Sequence, residues 1–208
     1  MSVSHPPAPW SLHGWSVQAV QWLEVNRVRA LVPPEVQIVA FGPGRALGGL
    51  YLATYEAGST LEYHELMTLV LARHRRRWGA WVLDIFVDDA RSMAGGRGIW
   101  GLPKEMATFQ WRDGDVTVCQ GERPLCRLRY GRPRRLFPVT YRLPGLSLLH
   151  GKPILFRSRI RSRIALVGAR WEIPPESPLA RSGFSRPRLT LMQRQLRASI
   201  GQGEEIGR

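Results

Sequence analysis

A lysine in a Gly-rich, apolar surround can act as a nucleophile, and Gly95-Gly96-Arg97-Gly98-Ile99-Trp100-Gly101-Leu102-Pro103-Lys104-Glu105-Met106 sets one there. Of the 30 lysines and arginines, only Lys104 and Lys152 are lysines. Arginine keeps its proton at any ordinary pH, whereas a desolvated lysine can lose one and attack a carbonyl carbon. Ile99, Trp100, Leu102 and Met106 are the apolar candidates for the walls around Lys104. If a strand begins at Lys104, Glu105 projects to its opposite face. Burial can move a lysine by ~3–5 pKa units, more than a carboxylate acting through water at 4 Å, which is worth about 1 kcal/mol. Lys152, between His150-Gly151 and Pro153, reads as an exposed loop lysine.

The second candidate is Glu65. Leu61, Tyr63, Glu65, Met67, Leu69 and Leu71 alternate with Glu62, His64 and Thr68, so period two leaves one carboxylate on an apolar strand face. A carboxylate there must be paired, hydrogen-bonded or protonated. His64 falls on the other face and reads as a surface or internally bonded histidine. Asp88-Asp89 ends the next apolar run and suits a capping role better than metal binding, since no further acid groups with the pair. Cys119 and Cys126 have no partners at zinc spacing and read as reduced, packed thiols on either side of the Gly121 turn. No metal and no organic cofactor is expected.

These side chains need a scaffold, and the runs that supply it read mostly as strands. Val17–Val25, Val36–Phe41, Leu47–Tyr55, Leu61–Leu71 and Gly79–Val87 are β-branched or alternating, with Gly-rich or Arg-rich breaks between them. Ala107–Trp111, Val116–Cys119 and Leu125–Tyr130 continue as a meander, and Val139–Leu149 is broken by Pro144-Gly145. From Ser185, the spacing of Leu189, Met192 and Leu196 predicts an amphipathic helix. With 208 residues, 44% of them hydrophobic, one domain over residues 10–200 is expected, with an extended arm at 1–9 and a frayed tail at 201–208. No apolar run is long enough to span a bilayer, and the start lacks a signal-peptide pattern, so the cytoplasm is the expected compartment.

Charge is the competing signal. The formal net charge is +14 and the pI about 11.3. Arg157, Arg159, Arg161 and Arg163 fall on one strand face, where they suit an anionic surface, an acidic subunit interface or a polar barrel lumen. No aromatic residue interleaves with them and no nucleic-acid motif accompanies them, so a nucleic-acid partner is not expected.

The run Ser92-Met93-Ala94-Gly95-Gly96-Arg97-Gly98-Ile99-Trp100-Gly101-Leu102-Pro103-Lys104 resembles the signature of the acetoacetate decarboxylase family. Pro9-Trp10, Val25-Asn26-Arg27-Val28-Arg29, Val32-Pro33-Pro34-Glu35-Val36, Gly48-Gly49-Leu50-Tyr51 and Leu61-Glu62-Tyr63-His64-Glu65-Leu66 resemble it in the same order. The resemblance implies a mainly β (α+β) fold, an antiparallel barrel or cone with a few short helices, one of them at Val25–Leu31, around an apolar pocket. It implies Lys104 as the Schiff-base residue, Glu65 as its catalytic partner, and Tyr63, Arg97, Trp100, Leu102 and Met106 toward the substrate, a keto acid or ketone, with Arg97 suited equally to a substrate carboxylate or to bracing the Gly-rich loop. A carboxy-lyase acting on a β-keto acid is the expected function. Schiff-base aldol chemistry and non-enzymatic binding of a small apolar ligand are the alternatives, and a homo-oligomer is the expected assembly. The chain departs from the family pattern at Glu105, where a second lysine often stands, and at Gly96-Arg97-Gly98 in place of Gly-Arg-Glu. It departs again at His13-Gly14-Trp15, which offers no arginine to the pocket.

Overall fold

Alternating side chains commit most of this chain to strands. The computed structural model describes residues 3–185, 187 and 189–206. In chain order these form β1 (Trp10–Glu24), α1 (Val25–Arg29), β2 (Gln37–Ile38), β3 (Arg45–Tyr55), β4 (Tyr63–His74), β5 (Arg77–Val87) and α2 (Ala90–Trp100). They continue with β6 (Lys104–Met106), β7 (Thr108–Arg112), β8 (Asp115–Gln120), β9 (Arg123–Tyr130), β10 (Phe137–Leu149), β11 (Lys152–Leu166) and β12 (Ala169–Glu172). The last are α3 (Pro178–Arg181), β13 (Leu189–Ile200) and β14 (Glu204–Glu205).

Seven strands close into a barrel in the order β4-β3-β1-β13-β11-β10-β5, with β5 pairing back onto β4. Closure removes the free edges that an open sheet would expose. The odd positions of β4 face the lumen, while Leu66, Val70 and Ala72 face outward and are buried against a second layer. That layer is the antiparallel sheet β12-β9-β8-β7, whose Val116, Val118, Leu125, Leu128 and Trp171 share one apolar core with Val17, Leu50 and Leu52 of the barrel wall. β6 is added to the barrel by parallel pairing with β5, Lys104 opposite Ile85.

An Arg–carboxylate cluster ties β8 to β9. Arg127 donates to Asp115 through Nε and Nη2, and Arg129 lies 3.4 Å from the same carboxylate. The Arg127 hydrogen bond holds the Asp115 carboxyl below its usual range. Because the native pKa is depressed, this stabilisation is present above the unfolded value of about 4 and is lost as the pH falls through the native one. Asp115→Asn is therefore expected to lower the melting temperature at neutral pH, and the gap from wild type should close in acid. A gap that persists at low pH would overturn this account.

Several segments differ from the sequence reading. The Gly95–Gly98 run is not a loop but the second half of α2, which starts on an Asp89 cap where Oδ1 accepts from the Ser92 amide at 2.8 Å. The expected terminal helix is strand β13, Val36–Phe41 shrinks to the two-residue β2, and β10 runs unbroken through Pro144-Gly145. The strand that begins at Lys104 stops at Met106, and the run expected at Ala107–Trp111 is β7, Thr108–Arg112. Lys152 is exposed but opens β11, where its Nζ lies 2.9 Å from Glu205. The tail expected to fray from Gly201 carries β14, paired with Ile154 and Leu155, while Gly207 and Arg208 lie outside the described residues. Residues 3–9 form no regular element, and Trp10 Nε1 donates to the Pro6 carbonyl at 3.1 Å. Met1 and Ser2 of the expected arm lie outside the described residues. Both cysteines are free thiols. No helix among the described residues is long and apolar enough to cross a membrane.

Candidate active site

Lys104 enters the lumen because α2 delivers it there. The helix ends on Gly101 in a left-handed conformation (φ 63°), where the Leu102 amide donates to the Gly96 carbonyl and the Gly101 amide to the Arg97 carbonyl. This double closure turns the chain sharply into β6. Glycine inside a helix costs about 1 kcal/mol relative to alanine, and close approach explains two of them here. A Cβ on Gly95 would lie 2.5 Å from Trp10 Cζ2, and one on Gly96 would lie 2.5 Å from Lys104 Cδ. The glycines thus let α2 press directly on the lysine and on Trp10.

The lysine is almost wholly enclosed, at 2% exposure, and Glu65 at 6%. Nζ donates to Glu65 Oε2 at 2.9 Å, to Ser92 Oγ at 2.9 Å and to Tyr63 OH at 3.4 Å. Its charge also faces aromatic rings, 4.8 Å from the Tyr63 centroid and 5.7 Å from that of Trp10. Register explains the meeting: Ala53 opposes Glu65, Glu65 opposes Val87, and Lys104 opposes Ile85, so β3 to β6 present one continuous inner face. Period two thus put Glu65 on the inner face of β4, and its separation of 39 positions from Lys104 is closed by folding α2 across the barrel end.

A tyrosine chain extends the polar cluster. Tyr55 OH donates to Glu65 Oε1 at 3.2 Å, Tyr63 OH to Glu65 Oε2 at 3.3 Å, and the Tyr51 and Tyr55 hydroxyls lie 3.3 Å apart. Burial, and then the Glu65 charge, push the Tyr55 and Tyr63 phenols well above their usual pKa. Both therefore remain neutral donors at ordinary pH. Ser92, Tyr51 and Tyr55 were not singled out from sequence. The signal for the tyrosines was present: residues 51 and 55 share a strand face, and Tyr55 opposes Tyr63 in register.

The cluster sits toward one end of a cavity of about 370 Å³ that continues along the lumen past Met67, Leu69, Tyr141 and Ile160 to Val20 and Leu71. Tyr63, Trp100 and Leu102 line it, and Trp100 meets Trp10 edge to face at 4.9 Å. Arg97 and Met106 do not. Arg97 lies on the exposed side of α2 and its Nε donates to the Lys104 carbonyl at 2.7 Å, so it braces the lysine's backbone. Met106 has passed beyond the lumen on an edge strand paired with β5, and is 38% exposed. Ile99 is buried but outside the lining, and Glu105 points away to accept from Gln120. His64 pairs with Asp88 on the outer face and stacks on Phe109. The Arg157–Arg163 stripe also lies outside, Arg157 pairing with Glu204 at 2.9 Å. Among the described residues Lys104 is the only lysine or arginine lining the cavity, and no His, Cys, Asp and Glu group has a metal-binding arrangement.

Because Gly96 abuts the lysine side chain, Gly96→Ala should displace Nζ from Glu65 and Ser92 while leaving the barrel folded. A misplacement near 1 Å can cost about 100-fold in rate. Steady-state kinetics alongside a melting curve check this, and unchanged kcat would show that the lysine accommodates the methyl group freely.

Three comparisons bear on this geometry. A family model described as acetoacetate decarboxylase (ADC) matches residues 6–150. The rice (Oryza sativa subsp. japonica) Protein NEOXANTHIN-DEFICIENT 1 is 30% identical over 110 residues, which make up 52% of this chain but only 36% of that protein. The crystal structure of acetoacetate decarboxylase from Legionella pneumophila superposes with a TM-score of 0.74 at 15% identity, covering 99% of this chain and 90% of the other. The enduracididine biosynthesis enzyme MppR, complexed with the condensation product of pyruvate and imidazole 4-carboxaldehyde, does so with a TM-score of 0.63 at 15% identity, covering 96% and 90%. At these identities the two structures establish the shared barrel.

Proposed function

The chain belongs to the acetoacetate decarboxylase family, and we propose that it is a Schiff-base enzyme that decarboxylates a β-keto acid carrying an apolar substituent. The observation that carries this reading is the enclosed Lys104 Nζ, 2.9 Å from both Glu65 and Ser92 at one end of an apolar lumen.

Catalysis starts with proton transfer from the Lys104 ammonium to Glu65, which frees the amine lone pair. Nζ attacks the ketone carbon, and Glu65 returns the proton to the carbinolamine hydroxyl, which leaves as water. The product is a protonated imine beside a Glu65 carboxylate, with charge conserved. The bond to the substrate's carboxylate carbon then breaks, its electron pair flows into the iminium, and carbon dioxide departs to leave an enamine. Protonation at carbon and addition of water release the ketone and regenerate the Lys104 ammonium. Tyr55 and Tyr63 hold the Glu65 carboxylate in line, and Ser92 fixes the rotamer of the amine.

The apolar lining favours loss of carbon dioxide. A carboxylate that disappears as neutral gas is relieved of an unfavourable surround, while one that must persist, as in an α-keto acid undergoing condensation, stays buried without a second cation. Borohydride trapping with ketones and β-keto acids of graded alkyl length, followed by peptide mass mapping, tests the reading. An adduct on Lys104, absent from Lys104→Arg, together with carbon dioxide release supports it. An adduct without carbon dioxide would move the assignment to condensation chemistry. No adduct with any compound between about pH 6 and 9 would make the protein a binder of small apolar ligands.

A further inference from the structure

Large apolar side chains are exposed at one end of the barrel, and they continue the lumen's own face. Trp22 opposes Leu47 and Leu189 opposes Val20, and both partners line the lumen. Trp78 is two positions before Ala80 on β5, Phe137 four before Tyr141 on β10, and Leu166 six after Ile160 on β11, each partner again a lining residue. Even spacing along a strand keeps the face. These five residues sit at the C-terminal ends of β1 and β11 and the N-terminal ends of β5, β10 and β13. The pairing brings those ends together, opposite the end that holds Lys104. Their exposure runs from 48% at Leu189 to 66% at Leu166. Phe41 extends the ring by meeting Trp22 at 5.7 Å. Scattered exposed apolar residues need no explanation, but a ring of them rimming an apolar lumen does.

Positive charge collects at the same end. β3 begins at Arg45, and the β4–β5 hairpin carries Arg73, Arg76 and Arg77, none of which meets a carboxylate partner among the described residues. Arg73, which donates to Gln37, opposes Trp78 directly, so a cation and an indole stand side by side on the rim. Indole and guanidinium groups together suit the boundary between phospholipid headgroups and hydrocarbon. A nucleic-acid backbone offers nothing to receive the leucines and phenylalanines. A second copy stacked rim to rim would set two arginine-bearing rims of like charge against each other.

We propose that this rim docks the barrel on an anionic phospholipid surface, with Trp22, Trp78, Phe137, Leu166 and Leu189 inserted at the interface and the hairpin arginines on the phosphates. The lumen then faces the bilayer, and the compounds that reach Lys104 are amphiphiles with the hydrocarbon tails that the lining accepts. Docking itself requires no chemistry at Lys104, so the Lys104→Arg protein docks as the wild type does.

Sedimentation of the full chain with vesicles tests this, comparing phosphatidylcholine alone with vesicles containing about one third phosphatidylglycerol at about 0.1 M salt. The expected result is a partition coefficient at least ~10-fold higher on the anionic vesicles, falling at least ~10-fold in Trp22→Ser/Trp78→Ser. Arg76→Gln/Arg77→Gln should fall similarly, whereas Arg142→Gln/Arg159→Gln, which removes the same charge from the barrel's outer wall, should be spared. Equal losses for the two arginine pairs, or undiminished binding of the tryptophan variant, would reduce the effect to diffuse charge adsorption and overturn the proposal. So would rim variants that abolish self-association in analytical ultracentrifugation without affecting vesicle binding, which would assign the rim to a second copy of the chain.

Discussion

Lys104→Arg is expected to lower kcat/KM by at least ~10⁴-fold and to eliminate the borohydride adduct, because a guanidinium cannot supply the lone pair that attacks the ketone. The substitution keeps a positive charge beside Glu65, so the buried pair is not broken. Lys104→Met is the harsher test: it strands a carboxylate among hydroxyls, which can cost about 3–5 kcal/mol if the group stays ionised. Chemical rescue separates chemistry from folding. Lys104→Cys alkylated with an aminoethyl group restores an amine at nearly the same reach, and activity should return with it. The native thiols permit the experiment, since Cys126 is buried and its pKa is pushed up to about 12, leaving half-buried Cys119 to be replaced by serine beforehand. Full activity in Lys104→Arg would remove the lysine from the mechanism altogether.

Glu65→Gln should leave the barrel standing and lower kcat by ~10²–10⁴-fold, the usual worth of a positioned acid–base. The amide preserves the shape and accepts from Tyr55 or Tyr63, but it can neither take the Lys104 proton nor give one to the departing hydroxyl. Adduct formation, followed by quenching with borohydride at short times, should slow in parallel with turnover. If trapping were as fast as in the wild type and only overall turnover fell, Glu65 would act after imine formation, at protonation of the enamine.

Much of this site was legible in the sequence. A lone lysine after a Gly-rich run, and a carboxylate out of place on an apolar strand face, are departures from pattern, and the chemistry of those side chains makes them noticeable. The barrel strands from β3 to β5 were legible too, as β-branched or alternating runs bounded by Gly-rich and Arg-rich breaks. Three features were not, each for a packing reason. Gly95 and Gly96 argue against helix by propensity, yet they lie in α2 because only a helix without side chains there can touch Trp10 and Lys104. Leu189, Met192 and Leu196 imitate a helical period because Met192 packs outward into the core, Leu189 and Leu196 lie on the lumen face, and the irregularity at Gln195 (φ 50°) shifts the alternation between Met192 and Leu196. Pro144-Gly145 reads as a break, but β10 meets β5 only from Gly145 onward, and the ring of Phe156 fills the space over that glycine.

Sequence by itself determined which side chains have the chemistry to react, their likeness to a known signature, and the inner and outer faces of the strands that carry them, because side-chain chemistry and period-two alternation are local. Tertiary structure alone decided that Arg97 and Met106 lie outside the cavity, that Ser92 and Tyr55 complete the polar cluster, and that five scattered apolar residues form one rim. Distance across a closed barrel depends on strand register and on the turn at Gly101, and neither is written in the spacing of residues along the chain.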